Sequence, residues 1–175
     1  MIISPAKKMR VDQEYLAYQD LPRFLKEAER LMGQLRQMDA SALQTLWKCN
    51  DALARENIQR LQRMELYHDL TPAILAYDGI QYRYLAPNVL EEGALAYLQA
   101  HLRILSGFYG LLRPLDGVTP YRLEMQAKLA VGEARDLYAF WGEKLGAALG
   151  AETDQVLNLA SREYSRAVLP HLPRH

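Results

Sequence analysis

The chain has 175 residues, 50% of them hydrophobic, with 21 basic residues against 21 acidic ones. That length suits one domain with a substantial core, and no apolar run approaches the roughly 20 residues that cross a bilayer. A formal charge of zero excludes the overall positive field by which composition alone announces a nucleic-acid binder, so any such site must be a local patch.

The start, Met1-Ile2-Ile3-Ser4-Pro5, lacks the basic flank and long apolar stretch of a secretion signal and reads as a short buried strand. With Cys49 as its single cysteine the chain forms no internal disulfide, which fits a reducing, cytosolic location. After Asp20 and Pro22, Phe24, Leu25, Ala28, Leu31, Met32 and Leu35 recur at helical spacing. Asp39 or Ser41 caps a second helix holding Leu43, Leu46 and Trp47. The break at Lys48-Cys49-Asn50-Asp51 ends it. A third helix turns Leu53, Ala54, Ile58 and Leu61 inward and Arg55, Glu56, Arg60 and Arg63 outward. Ala73-Ile74-Leu75-Ala76-Tyr77, between Thr71-Pro72 and Asp78-Gly79, suits a buried strand and turn. A helix from about Asn88 to His101 points Leu90, Ala94, Tyr97, Leu98 and His101 inward. Strands at Leu102–Leu105 and Tyr121–Met125, a helix over Leu137–Leu149, a strand at Val156–Ala160 and a Ser161-capped helix complete the chain. Short apolar strands separated by helices predict one helix-rich α+β domain, residues 1–175, around a small mixed sheet shared by the strands at 1–6, 73–77 and 156–160.

Several segments in order resemble the YaaA family of bacterial peroxide stress-response proteins: Ile3-Ser4-Pro5-Ala6-Lys7, Ile74 to Gly79, His101 to Met125, Leu137 to Gly142, and Asn158-Leu159-Ala160-Ser161-Arg162-Glu163-Tyr164. The resemblance extends over essentially the whole chain. It implies a cytosolic protein that binds double-stranded or structured DNA, limits oxidative DNA damage and free iron, and uses a helix-hairpin-helix element. Family members continue past this point with further strands and a basic segment, so the chain reads as truncated, with sheet edges left exposed.

Residues 41–63 fit that element best. Hairpin amides and a helix N-terminus attract phosphate without reading sequence. Lys48, Asn50, Arg55, Arg60 and Arg63 are the candidate contacts. The glycine-apolar-glycine hairpin is absent, Asp51 borders the phosphate position, and an ordinary helix pair with solvated charges explains the same residues. Ser106-Gly107-Phe108-Tyr109-Gly110, flanked by Arg103 and Arg113, offers either a stacking phosphate loop or a tight turn whose aromatics fill the core. Lys7, just after the first strand, either contacts phosphate or activates Ser4 in an enzyme acting on nucleotides or nucleic acid. Such an enzyme needs a carboxylate such as Asp78 or Glu124 near Lys7. Asp116 and Glu163 are the other carboxylates near the family motifs, and Arg122 alternates with Glu124 on one face. Cys49 is either a peroxide sensor or an inert packed thiol. No cofactor and no metal is expected, His171 and His175 reading as ordinary tail residues.

Overall fold

The structure, a computed structural model, describes residues 1–173. His175 lies outside them. The fold is α+β, with helices surrounding several very short β ladders. The central sheet has three strands in the order β1 (Ile2–Ile3), β5 (Arg103–Ser106) and β6 (Gly110–Leu112). β1 pairs parallel with β5, and β5 antiparallel with β6. Two further ladders join β2 (Lys8–Met9) to β4 (Tyr77–Asp78) and β3 (Thr71–Pro72) to β7 (Gly117–Val118). Ile2, Ile104, Leu105 and Leu112 are all fully buried in the core.

The first three helices lie close to where periodicity places them. α1 (Leu25–Arg36) buries Leu25, Ala28, Leu31 and Leu35 on one stripe. α2 (Ala40–Trp47) starts at Asp39, whose carboxylate accepts the Ala42 amide at 2.8 Å. α3 (Asp51–Arg63) buries Ala54, Asn57 and Leu61, while Leu53, expected inside, is 38% exposed.

Three of the expected strands are corrected. Residues 73–76 form a helical turn, α4 (Ala73–Ala76), before β4, so the strands at 1–6, 73–77 and 156–160 do not share one sheet. The turn is tolerated because every one of its side chains is buried and the loop at 114–116 takes its leading amides, Ala73 N–H donating to Asp116 O at 2.8 Å and Ile74 N–H to Pro114 O at 2.9 Å. The Val156–Ala160 strand reduces to a parallel bridge between Asn158 and Ile2. Tyr121–Met125 keeps its alternating burial yet belongs to no ladder; its backbone lies directly over Gly107, where any Cβ would approach the Leu123 carbonyl oxygen to 2.7 Å.

The remaining helices are α5 (Ile80–Leu85), α6 (Glu92–His101), α7 (Leu137–Trp141), α8 (Lys144–Glu152) and α9 (Arg162–Ser165). The single helix expected over 137–149 is split at Gly142, whose φ of +48° breaks the run.

The segment at 106–110 takes the packing role. Ser106, Phe108 and Tyr109 are fully buried, Phe108 stacks on Tyr121 at 5.0 Å, and the Ser106 hydroxyl lies 2.6 Å from the Tyr121 hydroxyl, which meets Tyr77 at 2.8 Å. Burial pushes the Tyr121 phenol up to about 12, so this hydroxyl chain stays neutral. Its rings are inaccessible to a nucleobase.

Candidate functional site

The crevice at the end of β1 is assembled by side chains that clasp residues 4–8 from several sides. The Ser161 amide donates to Ser4 Oγ at 2.8 Å, and the Ser4 carbonyl accepts from Gln81 Nε2 at 2.6 Å and Tyr82 Oη at 2.8 Å. Lys7 Nζ meets Glu124 Oε1 at 3.1 Å, and Lys8 Nζ meets Asp78 Oδ2 at 3.4 Å. Arg83 donates to the other Asp78 oxygen at 3.2 Å; that hydrogen bond, with Lys8 behind it, holds the Asp78 carboxyl below its ordinary range. Gly79 admits this arrangement because a Cβ there would stand 2.9 Å from that of Ala6.

Glu163 lies on the far wall, accepting from the Gln126 amide at 3.3 Å. Partial burial pushes its carboxyl up, and the neighbouring Glu124 charge adds to the rise while Lys7 opposes it. Pro5, Ala6, Lys7, Arg122, Glu124 and Tyr164 enclose a cavity of about 20 Å³, room for one water. The buried Nε of Arg122 has no hydrogen-bond partner among the described residues. Beyond Glu163 a groove of about 460 Å³ carries Lys128, Arg162 and Arg166, with the Arg166 guanidinium 4.6 Å above the Tyr138 ring.

The expected Lys7–carboxylate juxtaposition is therefore present. Ser4 is not set up as a nucleophile: its hydroxyl is engaged by the Ser161 amide and hydroxyl, and no bond joins it to Lys7. Sequence reasoning missed Lys128, Arg166 and Tyr138. Two signals were available: Arg162, which sits inside a family motif beside Glu163, and Tyr138, which sits inside the segment Leu137 to Gly142.

The other predicted contacts fall in three places. At the α2–α3 joint, Lys48 adopts φ +48° and Asn50 Oδ1 accepts the Leu53 amide at 2.9 Å. Gln44 Nε2 reaches across to Asp51 Oδ1 at 2.7 Å, turning that carboxylate toward α2. Lys48, Arg55 and Arg63 are exposed and have no ion pair among the described residues, whereas Arg60 pairs with Glu56 at 3.2 Å. Arg60 and Arg63 line a cleft of about 300 Å³ whose opposite wall is Thr119-Pro120. The same loop continues into Tyr121-Arg122 of the Lys7 crevice, so Arg60, Arg63, Arg122 and Lys7 follow one loop. Arg103 lies elsewhere: its guanidinium binds Glu152 at 2.8 Å and the carbonyls of Gln99 and Leu102, leaving its side chain 12% exposed. Arg113 is shared by Asp116 at 3.2 Å and Asp20 at 3.4 Å. Cys49 is half-buried against the core.

Four of the five segments that carried the sequence resemblance contribute residues to the β1 crevice, while Leu137 to Gly142 reaches only the groove beyond Glu163, and the sequence profile described as peroxide stress protein YaaA matches residues 1–174. The chain belongs to that family. Relatives of the YaaA family include a UPF0246 protein of Lactiplantibacillus plantarum, 52% identical over 175 residues, and one of Pediococcus pentosaceus, 52% identical over 172. A UPF0246 protein of Agathobacter rectalis is 46% identical over 172 residues. These matches cover 98–100% of this chain but 71%, 68% and 69% of the three relatives, in that order. In this YaaA-family chain no helix among the described residues is long and apolar enough to cross a membrane, and no three His, Cys, Asp or Glu side chains there cluster as metal ligands.

Proposed function

We propose that this chain serves in the peroxide stress response by binding double-stranded or structured DNA through phosphate contacts, thereby limiting oxidative damage. The observation that carries the reading is a set of cations without carboxylate partners on one helix pair that also offers the N-terminus of a long helix, which Lys128, Arg162 and Arg166 of the groove beyond Glu163, equally unpaired among the described residues, do not share. Arg103, Arg113 and Lys7 are neutralised by carboxylates, while Lys48, Arg55 and Arg63 on α2–α3 stand exposed without one among the described residues. Phosphates attract such groups because binding releases condensed counterions. The N-terminus of the 13-residue α3 adds its dipole, and the tethering of Asp51 by Gln44 turns the one opposing charge aside. This is the role of a helix-hairpin-helix element, performed with Lys48 in the left-handed turn position that glycine takes in the usual hairpin.

The test is duplex binding across a salt series with the unmodified chain and with Lys48→Ala, Arg55→Ala and Arg63→Ala. Removing one phosphate-binding cation lowers the slope of log affinity against log salt by about 0.9, without altering sequence preference. Three variants matching the parent in affinity and slope would remove α2–α3 from the interface. No duplex binding by the unmodified chain at low salt would end the DNA reading for these residues.

A second reading, an enzyme acting on nucleotides or nucleic acid, draws on the Lys7–Glu124 ion pair with Glu163 beside it. There Glu163, its carboxyl raised, is the acid and Lys7 the phosphate or leaving-group partner. Turnover of a nucleotide or oligonucleotide that disappears in Glu163→Gln, with binding retained, would favour it over the DNA-binding reading.

A further inference from the structure

We infer that the pocket between the β2–β4 ladder and the turn at 86–89 binds a small organic carboxylate, an aromatic or branched apolar body carrying one carboxylate group.

The pocket has room and an apolar floor for such a body. It holds about 310 Å³, the size of a small-molecule site. Ile74, Tyr77, Tyr82 and Pro87 line it and all four are buried, the two tyrosine rings lying 5.6 Å apart and tilted by 37°. Both phenol hydroxyls are engaged elsewhere, Tyr77 with Tyr121 and Tyr82 with the Ser4 carbonyl, so what the rings offer the pocket is carbon.

The mouth is cationic, and its donors are held in place. The Arg10 amide extends the β2–β4 ladder by donating to Ala76 O at 2.8 Å, and Arg10 Nε donates to Leu75 O at 3.0 Å. That second bond fixes the guanidinium while its two terminal nitrogens have no partner among the described residues. Arg83 is held in the same way through Nε, 3.2 Å from Asp78 Oδ1. A guanidinium fork grips both oxygens of a carboxylate with parallel hydrogen bonds. The side-chain amide of Asn88, also without a partner among the described residues, can add a third donor from the 86–89 wall.

The backbone of that wall is strained. Ala86 sits at φ +46° and ψ 60° directly before Pro87, in the left-handed region that a side chain disfavours. Strain of this kind persists where the surrounding structure enforces it, and it concentrates at ligand sites. The Tyr15 hydroxyl braces the turn by donating to the Asn88 carbonyl.

Charge selects among anions. Asp78 also lines the pocket, kept ionised by Arg83 and by Lys8, so it opposes a doubly charged phosphate monoester more than a single carboxylate. A DNA backbone phosphate has no apolar body to fill the floor. None of the lining residues belongs to α2 or α3, so the pocket is independent of the proposed duplex interface.

The experiment titrates the isotope-labelled chain with phenylacetate, with phenylacetamide as its neutral counterpart and phenyl phosphate as its dianionic one, and follows the backbone amide resonances. Phenylacetate should give saturable shifts centred on Arg10, Tyr77 and Asn88, and the other two compounds should bind about tenfold more weakly or worse. Arg10→Gln, which leaves the Asp78 ion pairs in place, should weaken phenylacetate roughly tenfold with circular dichroism unchanged. Lys48→Ala, on the α2–α3 joint, should bind it as the parent does. Absence of saturable shifts at these residues overturns the proposal, and so does an Arg10→Gln variant that binds like the parent. Equal affinity for phenylacetamide overturns it by reducing the pocket to an apolar trap, and tighter binding of phenyl phosphate overturns it in favour of a phosphate site.

Discussion

Asp116 is the residue whose chemistry is most altered by the fold. Its carboxylate is 1% exposed, receives the Arg113 amide at 2.8 Å and Arg113 Nε at 3.2 Å, and lies near the Asp20 charge. Burial pushes its pKa up to about 6, the Arg113 hydrogen bonds and charge only partly opposing it. The folded chain therefore holds a proton here that the unfolded chain has released between pH 4 and pH 6. Stability must decline as pH rises through that window, by roughly 3 kcal/mol at most from this group. In Asp116→Asn the decline disappears, so the difference in urea midpoint between variant and parent should move in the variant's favour from pH 4 to pH 6.5. A constant difference across that range would show that Asp116 ionises normally. Asp78 acts in the opposite sense: its lowered pKa contributes stability above the ordinary carboxylate range that is lost on acidification.

At the scale of elements, the α2–α3 joint separates stability from binding. Lys48 sits at φ +48°, a region glycine enters freely and lysine does not, so Lys48→Gly should raise stability by about 0.5–1 kcal/mol. Asn50→Ala removes the acceptor of the Leu53 amide and should lower stability by about 1 kcal/mol. On the proposed function both weaken duplex binding, one by removing a charge and the other by loosening the hairpin. A Lys48→Gly variant that is more stable and binds DNA as before would take Lys48 out of the interface. Capping and periodicity made this pair of helices legible in the sequence, because Asp39, Asn50 and the alternation of leucines with charges act locally. The turn at 73–76 was not legible. Its apolar run fits a strand or a buried helix equally, and the choice is made by the 114–116 carbonyls, some 40 residues away along the chain, that accept its first amides. Tyr121–Met125 has the alternation of a strand, but ladder partners are a property of the fold, and among the described residues none pairs with it.

Across the whole molecule, the site was readable only where the family motifs named it. Lys7 and Glu124 are 117 positions apart, and Ser4 meets Ser161 across 157, separations that no spacing rule bridges. The engagement of Arg103 by Glu152 was equally invisible, and it turned a predicted phosphate ligand into a structural tie. The sheet that carries these links is joined at β1. Its residue Ile2, fully buried, donates to Leu157, accepts from Leu159 and stands in register with Arg103, so one residue anchors the two halves of the central sheet. Shortening such a side chain leaves a cavity its neighbours only partly fill, and Ile2→Ala should lower stability by about 2–5 kcal/mol. Because β1 joins segments distant in sequence, the effect should be shared: native-state hydrogen exchange should show protection falling by a similar factor at Ile104, Leu105 and Leu159, with the urea slope unchanged. If protection falls at Leu159 alone, β5 and β6 are held without β1, and the joint between the halves of the sheet is the β5–β6 ladder.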